Sequence, residues 1–338
     1  MPSPLKITAL SGGVGGARFL RGLTTALAAI DDPALRDAEI TVVANTGDDI
    51  TLHGLRVQPD VDSILYTLGG GVNEEQGWGR ADETHSVGTE LAALGAAGTW
   101  FTLGDKDFAT HILRSQLLGQ GATLSQVVAH LATRWGLPEQ RVALLPMSDT
   151  PVETHVVLEQ DGEQQAVHFQ EWWVRLQAAT PASRFVVAGL DRATAAPGVL
   201  DAIREADLVL LPPSNPVVSI GIILGVPGVR DALRGTPAPV VGVSPLIAGR
   251  PVRGHLEACL ATVGVECSAT GVASLYADFL DGWLVDSADP MRERTAGARP
   301  AVHRRPVLMS SIDEAGDIAG AALELAVRLA PTRGRHAV

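Results

Sequence analysis

Lysine is almost missing from this chain: Lys6 and Lys106 are the only two. Positive charge therefore rests on arginine, and 26 basic against 38 acidic side chains leave a formal net charge of −12. Such a chain repels a polyanion at long range, which argues against general nucleic-acid binding but leaves room for a local site that takes a small anion. Cysteine is equally sparse. Cys259 and Cys267 lie in different predicted elements without metal-ligand spacing, so no disulfide framework or zinc site is expected and a reducing cytoplasm fits. No apolar run approaches the ~20 residues of a membrane span. The opening MPSPLKITAL runs straight into a strand-like segment and is read as that, rather than as a signal peptide. The nine histidines show no zinc-like spacing, and no nucleophile elbow is present, so covalent catalysis is not indicated.

What is present is apolar material in short, regular pieces. With 46% hydrophobic residues in 338, the chain can bury a substantial core. Ile7–Leu10 and Ile40–Ala44 read as strands, with a helix over Ala17–Ala29 between them. Asp60 is taken as the N-cap of a helix carrying Ile64, Leu65 and Leu68 and ending at Gly69-Gly70-Gly71. Three amphipathic helices are expected between Ser86 and Trp135. Glu153–Leu158 and Gln165–Val174 flank Asp161-Gly162, a favoured hairpin turn, and predict an antiparallel ribbon standing apart from the main sheet. Strand signals at Phe185–Ala188, Leu208–Leu211, Val240–Val243, Trp283–Val285 and Val307–Met309 then alternate with helical ones, ending in a helix over Glu314–Leu329. This alternation predicts a single α/β domain over residues 1–338: a three-layer, Rossmann-like parallel sheet with an inserted helical and antiparallel-ribbon elaboration at about 86–178. Residues 287–306 and 331–338 are polar and arginine-rich and are read as a mobile loop and a tail.

After the first strand stands LSGGVGGARFL. An ATP-type P-loop requires a lysine after its glycines to neutralise the outer phosphates, and none follows here. The dinucleotide fingerprint G-x-G-x-x-G fits Gly13 and Gly15, but Arg18 occupies the third glycine's place, where close helix–strand packing is needed. Both standard motifs fail, while the strand–glycines–helix context survives. Backbone N–H groups at a helix N-terminus, with Arg18 as a cationic fork, suit a diphosphate.

Asp48, Asp49, Asp60 and Asp62 put four carboxylates within fifteen residues. Magnesium held by one or two carboxylates and phosphate oxygens is one reading; turns and helix caps are the other. Pro212-Pro213-Ser214-Asn215-Pro216 and Ser244-Pro245 follow later strands and could read a purine edge or simply end those strands. Gly104-Asp105-Lys106-Asp107, with His111 and Arg114 beyond, is either a second polar wall or a capped helix with a solvated face. In an extended ribbon Trp172 and Trp173 would point to opposite faces, one to the core and one to a flat heterocycle.

Six stretches in combination resemble the CofD/FbiA family, the phospholactate or phosphoenolpyruvate transferases that build the deazaflavin coenzyme F420. They are SGGVGGARFLRGL, NTGDDITLHGLRVQPDVDSILYTLGG, WFTLGDKDFATHILRSQ, HFQEWWVR, PPSNPVVSIGIIL and SPLIAGRPVRG. The resemblance implies transfer of a phospho-acid from a guanosine diphospho-conjugate to the ribityl hydroxyl of the deazaflavin Fo, with release of GMP and with Mg2+ as cofactor. It implies that Gly12, Gly13, Gly15, Gly16 and Arg18 hold the diphosphate, and that Asp48 or Asp49 with Asp62 holds the metal, Asp48 and Asp62 being the catalytic carboxylates. Ser214, Asn215 and Ser244 would line the guanosine, and Trp172 or Trp173 with Asp105 and Lys106 the deazaflavin. A cytoplasmic homodimer without nucleic-acid or membrane partners is expected. Two rivals are a related nucleotide-sugar-binding regulator without transferase activity and a nicotinamide oxidoreductase, which Arg18 disfavours.

Overall fold

The computed structural model describes residues 4–160, 162–291 and 299–330. Seven strands form one sheet in the spatial order Ala301–Arg304, Gly282–Val285, Val240–Val243, Leu208–Leu211, Lys6–Ser11, Glu39–Ala44, Val142–Pro146. Every neighbouring pair is parallel. Chain order runs outward in one direction from Lys6–Ser11 and in the other from Leu208–Leu211, so the topological switch point lies between these two strands. In an open α/β sheet, ligands bind beyond the carboxyl ends at that point.

Alternation along each strand builds the layers. Ile7 and Ala9 join a cluster with Phe19, Leu20, Leu23, Ile64, Leu65, Ile318 and Ala322 on one face. Leu10, Val209 and Leu211 join Val199, Ile203, Ile223 and Leu233 on the other. The helix Gly13–Ala28 and the last helix, Ile312–Leu329, approach so closely that a Cβ on Gly22 would lie 2.3 Å from the Ala315 carbonyl carbon. Among the described residues no helix is long and apolar enough to cross a membrane.

Several elements differ from expectation. Phe185–Ala188 was read as a main-sheet strand, yet Ala182–Ala188 pairs antiparallel with Glu153–Gln160 and makes the ribbon three-stranded. The sheet instead takes Val142–Pro146, which the sequence reading passed over. Its opposite edge is Ala301–Arg304, from inside the polar segment 287–306, rather than Val307–Met309. The hairpin of Glu153–Gln160 with Glu163–His168 is present, its second strand stopping short of the expected Val174, and the three helices Ser86–Ala93, Asp105–Gly119 and Leu124–Arg134 are present as predicted. Asp161 and the tail 331–338 lie outside the described residues.

Candidate active site

The glycine run is the helix N-terminus itself: the helix begins at Gly13 rather than at Ala17. Gly13 sits at φ +65, a conformation that L side chains rarely adopt. A Cβ on Gly15 would lie 2.5 Å from the Pro213 carbonyl oxygen, and one on Gly16 2.1 Å from Ser11 Oγ. These two residues provide the close approach that the dinucleotide fingerprint assigns to its third glycine, which explains why Arg18 is tolerated there. Ser214 clamps the two loops at the switch point: its Oγ donates to the Gly12 carbonyl at 2.7 Å and accepts from the Gly12 N–H at 3.0 Å.

A cavity of about 760 Å³ opens above this clamp. Gly12, Gly13, Gly15, Arg18, Asp48, Asp62, Trp173, Ser214, Asn215 and Ser244 all line it. Gly16, Asp49, Asp105, Lys106 and Trp172 do not. Gly16 is spent on packing. Asp49 is fully buried behind the wall, held by Gln58 Nε2 at 2.7 Å and by Arg56 at 3.5 Å. Asp105 accepts from the backbone N–H groups of Ser86 and Val87, and Lys106 Nζ donates to the Ala81 carbonyl. The segment is thus a capped helix start, of which only Asp107 turns into the cavity.

The four clustered carboxylates divide by partner. Both oxygens of Asp62 are taken by Arg114, whose Nη1 lies 3.0 Å from Oδ2 and whose Nη2 meets Oδ1. Asp62 and Arg114 are buried, not at a solvated face. Burial lowers the His111 pKa to about 4, so its ring is neutral and Nδ1 accepts from Arg114 Nη1 at 3.0 Å. Asp49 has Arg56. Asp48 and Asp60 have no cationic partner among the described residues. Asn45 Nδ2 lies 3.2 Å from Asp48 Oδ1 and 2.9 Å from Asp60 Oδ2, holding them side by side. Gln170 Nε2 donates to Asp48 at 2.9 Å, and Ser219 Oγ lies 3.3 Å from Asp60. Burial, then the charges of Asp60 and Asp49, pushes Asp48 well above the carboxylate range; burial raises Asp60 to about 6 despite those hydrogen bonds and the Gly13 N–H. Two buried carboxylates side by side are each other's burden, and a proton or a cation between them relieves it.

Asp60 is the residue sequence reasoning misplaced. Gln58 holds the N-cap position of the helix Pro59–Leu68 without a side-chain capping bond, Pro59 is at N1, and Asp60 in the first turn lines the cavity instead. A Cβ on Gly12 would lie 2.3 Å from Asp60 Oδ2, so this carboxylate abuts the glycine loop. Gln170, Ser219, Arg253, Trp78, Trp100 and Phe101 also line the cavity and were not singled out. Gln170, Ser219, Arg253, Trp100 and Phe101 lie in stretches that carry the family resemblance, which was their signal; Trp78 had none.

Trp172 and Trp173 lie in a short helical turn, Glu171–Arg175, rather than in an extended strand. They still separate. Trp172 is fully buried, with Nε1 donating to the Thr180 carbonyl at 2.9 Å, while Trp173 faces the cavity. Trp172→Leu should therefore lower unfolding stability by about 2–4 kcal/mol, below the usual Trp→Ala range because leucine keeps part of the volume. Trp173→Leu should leave stability near wild type and weaken a ring-bearing ligand by roughly 0.5–1.5 kcal/mol. Chemical denaturation of both variants checks this; equal losses of stability would make Trp173 a packing residue.

The 2-phospho-L-lactate transferase CofD family profile matches residues 7–315. A phosphoenolpyruvate transferase of Thermobifida fusca is 56% identical over 326 residues, covering 96% of this chain and 99% of that protein. One from Mycolicibacterium smegmatis is 48% identical over 332 residues, covering 95% and 99%. Among solved structures, a Bacillus halodurans protein of the UPF0052 family is similar with a TM-score of 0.58 at 18% identity, over 96% of this chain and 99% of that one. At that identity the likeness concerns the fold alone.

Proposed function

Because the chain belongs to the CofD family of 2-phospho-L-lactate transferases, we propose that it moves a phosphoenolpyruvyl or phospholactyl group from a guanosine diphospho-conjugate to the ribityl hydroxyl of the deazaflavin Fo, releasing GMP, in coenzyme F420 biosynthesis. The observation that carries this reading is the pair Asp48 and Asp60, buried with no cationic side chain among the described residues and set against a glycine-built helix N-terminus. Ionised carboxylates and a diphosphate repel each other, and a divalent cation between them lets both occupy one place. Magnesium fits the donor set: two carboxylates, with phosphate oxygens and water completing the shell. Among the described residues no group of three or more acidic, histidine or cysteine side chains forms a cage, and none is needed for such an ion. Asp48 and Asp60 would hold it, in place of Asp49 and Asp62, which arginines neutralise. When bound it would neutralise charge on the transferring phosphoryl group.

The other residues bind and orient. Transfer of this kind needs in-line positioning and charge neutralisation more than a protein nucleophile. The cavity lining includes two aromatic pairs, Phe169 with Trp173 and Trp100 with Phe101, and both substrates carry a planar ring. Trp173 adjoins the Ser214–Asn215 loop through Val217, Ala258 and Cys259, which suits the guanosine end. Asn215 Oδ1 accepts from the Val217 and Val218 N–H groups and Ser244 Oγ from Leu246, which stiffens that end. Trp78, Trp100, Phe101, Asp107 and His111 line the remainder and suit the deazaflavin. The relatives' names favour phosphoenolpyruvate as the acid. The cytoplasmic, homodimeric state expected from the sequence belongs to the same proposal.

Incubation with Fo, magnesium and each guanosine conjugate, followed by mass spectrometry, tests the reading. The expected products are the phospho-acid ester of Fo and GMP. No ester with either conjugate, together with no binding of Fo, would favour the nucleotide-sugar regulator. Among the described residues Arg18 reaches only carbonyl oxygens, Met309 at 3.4 Å and Glu74 at 3.5 Å, so its charge is available to a ligand. Arg18→Gln should lower donor affinity by ~1.5–3 kcal/mol and leave Fo affinity nearly unchanged. Calorimetry with equal donor binding in the variant would remove Arg18 from the site.

A further inference from the structure

Arg21, Arg56 and Arg114 meet the carboxylates of Glu74, Asp49 and Asp62. Arg18 and Arg253, the arginines that line the cavity among the described residues, meet none. Neither forms an ion pair among the described residues, and the nearby Glu74 carboxylate is bound to Arg21. Yet the two guanidinium groups converge. The point where a Cβ on Gly77 would sit lies 2.9 Å from Arg18 Nη2 and 3.0 Å from Arg253 Nη1, and both side chains line the cavity.

Arg253 is held rather than free. Its Nη1 donates to the Gln76 carbonyl at 2.8 Å. The next residue, Gly254, is at φ +71, and a Cβ there would lie 2.5 Å from Trp173 Cζ2. Like charges brought together at a cavity wall are unfavourable unless an anion joins them. On the proposed function, on which this inference rests, the donor's phosphates are met by the glycine-loop N–H groups and by the cation at Asp48 and Asp60. One further anionic group remains on the donor, the carboxylate of the acid. A guanidinium fork matches a carboxylate in plane and spacing, which a lysine would not.

We infer that Arg253, converging with Arg18, binds the carboxylate of the acid carried by the donor, and so distinguishes the conjugate from plain guanosine diphosphate. The test is calorimetric, without Fo and therefore independent of turnover. Wild type, Arg253→Gln and Arg253→Lys are titrated with the enolpyruvyl guanosine conjugate and with GDP, and thermal unfolding of each is recorded. Arg253→Gln should weaken the conjugate roughly 10- to 100-fold and GDP by less than about threefold, the scale of one lost hydrogen-bonded charge. Arg253→Lys should fall between, because it keeps the charge without the fork. Equal loss for GDP would assign Arg253 to the diphosphate, and an unchanged conjugate would leave it no ligand role; either overturns the inference. A wild type that binds conjugate and GDP equally also overturns it. A wild type that binds the conjugate tightly but makes no ester with Fo sinks the transferase reading while the Arg253 comparison still stands.

Discussion

Asp48→Asn and Asp60→Asn should each depress transfer to Fo by roughly a thousandfold, while unfolding stability stays level or rises. The rate loss follows from the charge these carboxylates supply: a metal contributes several kcal/mol of transition-state stabilisation, and each 1.4 kcal/mol is about a factor of ten. The stability result has the opposite sign for the same reason. Both carboxylates are buried, lack a cationic partner among the described residues and titrate above the usual range, so in the free protein their charge opposes folding. An amide of the same shape removes that charge and gives up one accepting oxygen, so the two effects offset or the variant gains. Steady-state rates across magnesium concentrations, with denaturation of the metal-free variants, check both halves. Wild-type rates in both variants would eliminate the proposed metal role. A comparable rate loss in Asp62→Asn with its fold intact would return the ion to the carboxylate that the sequence suggested.

Arg114→Gln is expected to damage the fold. The guanidinium is completely buried, bonds both oxygens of Asp62, and also donates to the Arg56 carbonyl at 3.3 Å. Removing one member of a buried pair strands the other charge, typically at about 3–5 kcal/mol. Asp62→Asn should lose a similar amount by stranding Arg114. The double change Asp62→Leu with Arg114→Met should recover much of that loss, because neither charge is then left in the interior. Urea denaturation of the three proteins tests the pair; single variants within about 1 kcal/mol of wild type would be the scale of a surface ion pair and would refute a buried structural role.

The contrast between Asp60 and Asp62 marks what the sequence could not convey. Both stand in the first turn of one helix, two positions apart, and two residues subtend about 200° around a helix axis. One therefore faces the glycine loop and the other faces Arg114, fifty-two residues along the chain. Which face meets which neighbour depends on how that helix docks, and no local pattern encodes it. The same holds for Arg18 and Arg253, whose convergence follows from a loop more than two hundred residues away.

Strand assignment failed where two packings satisfy one pattern. Phe185–Ala188 is a short apolar run, equally suited to a buried parallel strand and to the half-exposed antiparallel strand it forms beside Glu153–Gln160. The edge strand Ala301–Arg304 carries a histidine and an arginine, because an edge is covered less than a centre and tolerates polar side chains. Central strands left no such freedom. Lys6–Ser11, Glu39–Ala44, Leu208–Leu211 and Val240–Val243 are enclosed on both faces, so their continuous apolar character was readable, as was the glycine run whose close contacts only glycine permits. By itself the sequence determined the parallel α/β core, the glycine-built helix start beside its first strand and the acidic segment after its second. Tertiary structure alone decided which carboxylates keep a counter-charge and which arginines lack one, because charge pairing depends on distances of a few ångströms between segments far apart in the chain.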